Sequence, residues 1–153
     1  MEKELKVAAL RNGTVIDHIP ADKLFQVVSV LRLKYYNHPI TIGNNFDSKR
    51  MGTKGIIKIS DRFLEVNEAS KIALIAPNAR INIIKEYQVV EKRTLILGDE
   101  IYDVMHCANP VCITNHQPVP TKFLVIRDGN QIRLKCCYCE REVKQDEVKI
   151  KKN

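Results

Sequence analysis

Apolar and polar positions change period several times along the chain, and each change marks an element. Residues 5–11 alternate in part and predict a strand, Asn12-Gly13 supplies a tight turn, and residues 14–19, rich in β-branched side chains, predict a second strand. Pro20 suits a helix start, where its missing N–H goes unused. Between residues 22 and 33, Leu24, Phe25, Val27, Val28, Val30, Leu31 and Leu33 form a broad apolar face at helical spacing. A short strand over 40–42 should end in a turn at Gly43-Asn44-Asn45, with a loop before a strand at 56–59. Asn67 is the expected N-cap of a helix over 68–75 that stops before Pro77, and residues 80–90 read as one long strand. Strand, helix, strand, strand, helix, strand, with one extra strand in front, is the split βαβ, ferredoxin-like order.

After about residue 97 the pattern shortens. Strands are expected over 101–106, 122–127, 132–136 and 142–150, with Asp128-Gly129-Asn130 turning between the second and third. The expectation is an α+β protein. A ferredoxin-like antiparallel sheet with two helices occupies residues 1–97, and a small all-β, zinc-ribbon-like domain occupies 98–153.

Charge sharpens this division. Of the formal charge of +7, most lies in residues 1–97, which hold sixteen Lys/Arg against ten Asp/Glu. A basic module suits an anionic partner. All five cysteines fall in the last third. The N-terminus shows no apolar leader, and no apolar run is long enough for a bilayer, so a cytoplasmic protein without a disulfide framework is expected.

Cys107 and Cys112 form a C-x4-C pair and Cys136 and Cys139 a C-x2-C pair, separated by 23 residues. Two such knuckles can place four thiolates around one tetrahedral ion, zinc first and iron second. A four-thiolate shell leaves no open position, so the metal is expected to be structural. His106 and His116 lie near enough in sequence to be spare ligands. So small a β-module needs such a staple. In the first module Asp17, His18, Lys58, Asn82, Tyr87 and Lys92 are candidates for an anion or nucleotide site: lysines for phosphates, Asp and Asn for hydroxyls or base edges, Tyr for a ring face. No Walker loop, dinucleotide fingerprint or nucleophile elbow is present.

The stretch Arg11-Asn-Gly-Thr-Val-Ile-Asp-His-Ile-Pro20 resembles the N-terminal signature of the regulatory chains of aspartate carbamoyltransferase. The likeness continues through Ile40-Thr-Ile-Gly43, Met51-Gly52, Ile57-Lys58-Ile59, Ala76-Pro-Asn-Ala79, Tyr87–Val90 and Leu134-Lys-Cys-Cys-Tyr-Cys-Glu140. The resemblance implies a non-catalytic, allosteric subunit in pyrimidine biosynthesis that binds CTP as inhibitor and ATP as activator. It implies a homodimer of regulatory chains that links catalytic trimers, with the zinc domain docking on the catalytic chain and no part for nucleic acid or membrane. Carried over by motif, the effector site would comprise Val7, Ala9, Leu10, Asp17, His18, Lys58, Asn82, Ile84, Tyr87, Val89 and Lys92, and zinc would sit on Cys107, Cys112, Cys136 and Cys139. Lys58 and Lys92 would face phosphates or ribose, Asp17 the ribose, and backbone groups of Leu10, Tyr87 and Val89 the base. Two rivals account for part of the pattern. A nucleic-acid-binding zinc ribbon explains charge and cysteines, but aromatic residues are only 6% of the chain and the basic excess lies outside the ribbon. A rubredoxin-like iron protein explains the cysteines alone.

Overall fold

The computed structural model describes residues 9–151. The chain divides between Leu95 and Ile96 into two compact units.

The first unit is built on β1 (Gly13–Pro20), α1 (Leu24–Val30), β2 (Ile40–Ser48), β3 (Gly52–Ser60), α2 (Val66–Ile75), β4 (Arg80–Lys85) and β5 (Gln88–Thr94). The strands form one antiparallel sheet in the order β2-β3-β1-β4-β5. This is the ferredoxin-like arrangement with β5 added at one edge. Ile16, Ile57 and Ile81 lie side by side across the three central strands and are almost wholly buried, as is Ile59. A Cβ placed on Gly55, on the same side of β3, would meet the Leu24 side chain at 2.6 Å, so α1 covers this face. Gly13 opens β1 at φ +144°, with no room for a Cβ beside the Ile59 carbonyl.

Several expected elements take another form. The strand placed at 5–11 lies largely outside the described residues, and residues 9–11 are not strand. The helix over 22–33 is a 3-10 turn (Ala21–Lys23), α1, and a second 3-10 turn (Leu33–Tyr35), with Arg32 left-handed at φ +55°. Gly43-Asn44-Asn45 does not end β2; the register shifts there, Asn45 takes φ +64°, and the strand continues to Ser48. A bulge thus absorbs the turn signal. Glu65, not Asn67, caps α2, through a reciprocal capping box in which the Glu65 N–H donates to Glu68 Oε1 at 3.1 Å. The long strand over 80–90 is a hairpin, because Glu86 and Tyr87 both have positive φ, +49° and +65°.

The second unit carries β6 (Glu100–Tyr102), β7 (Met105–His106), β8 (Lys122–Asp128), β9 (Gln131–Cys136), β10 (Glu142–Lys144) and β11 (Lys149–Ile150). One sheet runs β10-β9-β8-β6 and a second pairs β11 with β7. Left-handed Asp103 splits the strand expected over 101–106. A 3-10 turn, Gln145–Glu147, splits the one expected over 142–150. The core is small: Ile101, Val104, Met105, Phe123, Leu134 and the cysteines 107, 112 and 136. Among the described residues no helix is long and apolar enough to cross a membrane.

Candidate functional site

Strand register sorts the first unit's polar candidates. On the sheet face opposite Ile16 and Ile57, three cross-strand rows follow one another. The first holds Gly13, Ile84 and Val89; the second Lys58, Val15, Asn82 and Lys92; the third Asp17, Arg80 and Thr94. Rows two residues apart along a strand stand about 7 Å apart. Alternation therefore gathers on one face an apolar row, a row in which Asn82 stands between Lys92 and Val15 with Lys58 beyond Val15, and a row holding Asp17 and Arg80.

Beside the last two rows lies a cleft of about 400 Å³, lined by Asp17, His18, Arg80, Asn82, Lys92, Arg93 and Thr94. Asp17 is held by Lys54, whose Nζ lies 3.0 Å from Oδ1, and accepts a hydrogen bond from the His18 backbone N–H at 2.6 Å. His18 occupies the β1 bulge at φ +61°. Its Nδ1 is buried and makes no hydrogen bond, with Asp17 Oδ2 3.6 Å away. Burial lowers the His18 pKa; Asp17 opposes the shift, while Lys54, Arg80 and Arg50 add to it. Burial also lowers the Lys58 pKa, against the pull of Asp17. Arg93 is clamped by Glu91 in two hydrogen bonds of 2.9 and 3.0 Å. Cations outnumber the single carboxylate lining the cleft, which suits an anion.

Of the residues singled out from sequence, Asp17, His18, Asn82 and Lys92 line the cleft. Lys58 shares the middle row, and Ile84 and Val89 the apolar one. Tyr87 sits in the β4–β5 turn, its ring exposed, its N–H donated to the Arg11 carbonyl at 2.9 Å. Asn12 Oδ1 accepts the Glu86 N–H at 3.1 Å, so the segment containing Ala9 and Leu10 is tied at Arg11 and Asn12 to this turn. Val7 lies outside the described residues. Arg80, Arg93 and Thr94 were not among the sequence candidates. For Arg80 and Thr94 the signal was the two-residue step from Asn82 and Lys92, the latter concealed by a single strand through residue 90; Arg93, in register with Ile81, is off that step.

In the second unit Cys107 follows β7, Cys112 precedes a 3-10 turn, Cys136 ends β9 and Cys139 lies in the turn toward β10. Asn109 and Asn115 shape the first knuckle: the Cys112 N–H donates to the Asn109 carbonyl at 3.1 Å, and Asn115 Nδ2 donates to the carbonyls of Cys107 and Asn109 at 3.0 and 2.7 Å. Left-handed Glu140, φ +64°, closes the second. The four Sγ atoms all lie within 4.8 Å of one another, with Cys107–Cys139 at 3.5 Å and Cys112–Cys136 at 3.8 Å. A zinc tetrahedron with 2.3 Å bonds has sulfur–sulfur edges of about 3.8 Å. The donors thus fit one structural zinc ion, which when bound supplies a cross-link and no open coordination position. Burial pushes the Cys107 and Cys136 thiols up. At Cys139 burial acts the same way but is outweighed by hydrogen bonds, chiefly from the Arg141 backbone, and the thiol falls. Without a cation such a set resists full deprotonation. Neither histidine joins the cluster; His116 Nε2 lies 2.7 Å from the Pro110 carbonyl. Cys137 points outward.

A cationic cleft on a ferredoxin-like sheet, joined in one chain to a thiolate metal module, defines a two-module ligand-binding protein. Residues 5–96 match the family model of the aspartate carbamoyltransferase regulatory chain, allosteric domain, and residues 99–149 match that chain's metal binding domain. The aspartate carbamoyltransferase regulatory chain of Parabacteroides distasonis is 53% identical over 150 residues, covering 98% of this chain and 97% of that one. The regulatory chain of Phocaeicola vulgatus is 51% identical over 149 residues (97% and 96%), and that of Pyrococcus abyssi 46% over 147 (95% and 96%). The chain belongs to the aspartate carbamoyltransferase regulatory chain family, whose members are a non-catalytic subunit.

Proposed function

We propose that this chain regulates aspartate carbamoyltransferase, in the cytoplasm and in pyrimidine biosynthesis, by binding CTP as inhibitor and ATP as activator on the open face of the first sheet. The observation that carries the reading is the row Lys58, Asn82, Lys92 beside the cleft, with an apolar row on one side and a charged row on the other. Ile84, Val89 and the backbone near Leu10 and Tyr87 receive the base; Lys58 and Lys92 receive phosphates or ribose, and Asp17 the ribose, with His18 beside it. Residues 1–97 serve as the effector domain and residues 98–153 as the zinc domain that docks on the catalytic chain. Two regulatory chains pair and link catalytic trimers. Effectors then act by differential affinity for two states of the assembly, typically about 1–3 kcal/mol.

Calorimetric titration of the zinc-loaded chain with CTP, with ATP as competitor, tests the effector reading. Saturable CTP binding displaced by ATP is expected. Absence of binding to either, together with salt-sensitive binding of oligonucleotides, would overturn it in favour of a nucleic-acid platform. For the docking reading, mercurial removal of zinc from the assembly should release active trimers on a sizing column. An assembly that stays intact without zinc would refute it.

A further inference from the structure

The chain leaves β5 at Thr94 and enters β6 at Glu100, and the two units divide between Leu95 and Ile96. Gly98 looks like the natural pivot of this connection. A Cβ there would meet the Glu100 carbonyl oxygen at an ordinary 3.7 Å, so the glycine is not required for space. Gly98 is nevertheless held. β6 pairs with β8 so that Ile101 stands opposite Phe123 and Glu100 opposite Leu124, and the Val125 N–H still donates to the Asp99 carbonyl at 2.9 Å. Continued back along the chain, the same register sets Leu97 opposite Arg127. There the guanidinium takes over from the backbone ladder. Arg127 Nη1 donates to Asp99 Oδ1 at 2.7 Å, and Nη2 donates to the Leu97 carbonyl and, at 3.4 Å, to the Gly98 carbonyl. All of these groups belong to the second unit. An exposed Arg–Asp pair alone is worth little, but a planar fork spanning one carboxylate and two carbonyls fixes the path of the chain. With residues 97–99 pinned, the free connection shrinks to Leu95 and Ile96, the latter 81% exposed. Each residue brings two soft dihedrals, so the clamp halves the freedom that residues 95–98 would otherwise have.

We infer that Arg127 is a positioning residue for regulation: it holds residues 97–99 on β8, so that a displacement of β5 is passed to the zinc unit instead of being absorbed at Gly98. The inference rests on the regulatory reading proposed above. β5 carries Lys92 and runs directly into this connection. Loosening the clamp therefore leaves nucleotide and zinc binding in place and removes the response.

The test uses Arg127→Gln and Arg127→Lys, each as the zinc-loaded chain and in the assembly with catalytic chains. Arg127 is exposed, so its replacement leaves the core intact. Lysine keeps the charge but, as a point charge, cannot span the carboxylate and both carbonyls. Chymotrypsin should cut both variants after Leu97 about tenfold faster than wild type, with the products mapped by mass. In the assembly, zinc content and CTP binding by calorimetry should match wild type, while the change in activity at saturating CTP or ATP falls about fivefold in Arg127→Gln and nearly as far in Arg127→Lys. Unchanged cleavage after Leu97, a full response in Arg127→Gln, or a response lost only together with CTP or zinc binding overturns the inference and leaves the regulatory reading standing. A response restored completely by Arg127→Lys overturns it as well, since charge and not the fork would then suffice. If the wild-type assembly answers neither nucleotide, the regulatory reading fails and takes the inference with it.

Discussion

The two units differ in what keeps them folded. The first surrounds Ile16, Ile57, Ile59 and Ile81 with Leu24, Leu31, Leu33 and Ile72, all almost fully buried across a sheet and two helices. The second buries Ile101, Met105, Phe123 and Leu134, and then cysteines. A few dozen residues with so small a core do not outweigh chain entropy, so the second unit depends on its metal and the first does not. Polar residues divide the same way: Asp17, Arg80, Asn82 and Lys92 line a cleft in the first unit, whereas four of the second unit's five cysteines are drawn into one cluster.

Breaking the second unit should give the largest effect. Cys136→Ser, or chelation, puts at stake a metal-binding free energy of about 10–16 kcal/mol. Amides of residues 100–150 should then exchange freely while β1, β3 and β4 stay protected. Equal loss of protection in both units would undo the contrast. The reciprocal cut is Ile57→Ala in the first unit, expected to cost about 2–5 kcal/mol and to lower the melting temperature without changing zinc content. Lys92→Gln should weaken CTP binding about tenfold with no change in melting, read by titration calorimetry. Glu68→Ala removes half of the capping box and the partner of Arg62, and should cost the first unit about 1 kcal/mol in denaturant unfolding.

The smallest effect is one of pH. Burial holds the His18 pKa below 6.5 in the free chain, against Asp17 and with Lys54, Arg80 and Arg50. A bound phosphate would raise it, so binding takes up a proton and CTP affinity gains as pH falls through the window around and below 6.5. His18→Gln should lose this gain and keep only the titration of the phosphate itself. The sign for stability is opposite. Below 6.5 the unfolded chain binds more protons at His18 than the folded one, so the unliganded chain loses a little stability as pH falls. A wild type and variant with the same pH slope would show that His18 does not face the anion.

Sequence carried the architecture wherever signals were local and unopposed. Alternating isoleucines at 57, 59, 81 and 83 announced the central strands, and the cysteine spacing announced the cluster. It misled where tertiary contacts overrode local preference. Asn44 and Asn45 look like a terminal turn, but Asn44 Nδ2 donates to the Ala21 carbonyl at 3.1 Å and the strand bulges and runs on. Glu86-Tyr87 carries no turn signature, because the contacts that hold it come from Arg11 and Asn12, some 75 positions earlier. Missing that hairpin hid Arg93 and Thr94 from the candidate site, since the pairing of β4 with β5 sets Thr94 opposite Arg80, while Arg80 itself stands opposite Asp17 through the pairing of β1 with β4.

That turn also limits what can be moved between proteins. Two consecutive left-handed residues, neither of them glycine, persist because the lead-in to β1 accepts both of their N–H groups. The β4–β5 hairpin is therefore not portable. Grafted alone, or made as a peptide of residues 80–94, it would lose the shape that presents Tyr87. An engineer wishing to transplant the binding face would have to carry Arg11 and Asn12 with it, or replace Glu86-Tyr87 with Asn-Gly and give up the tyrosine.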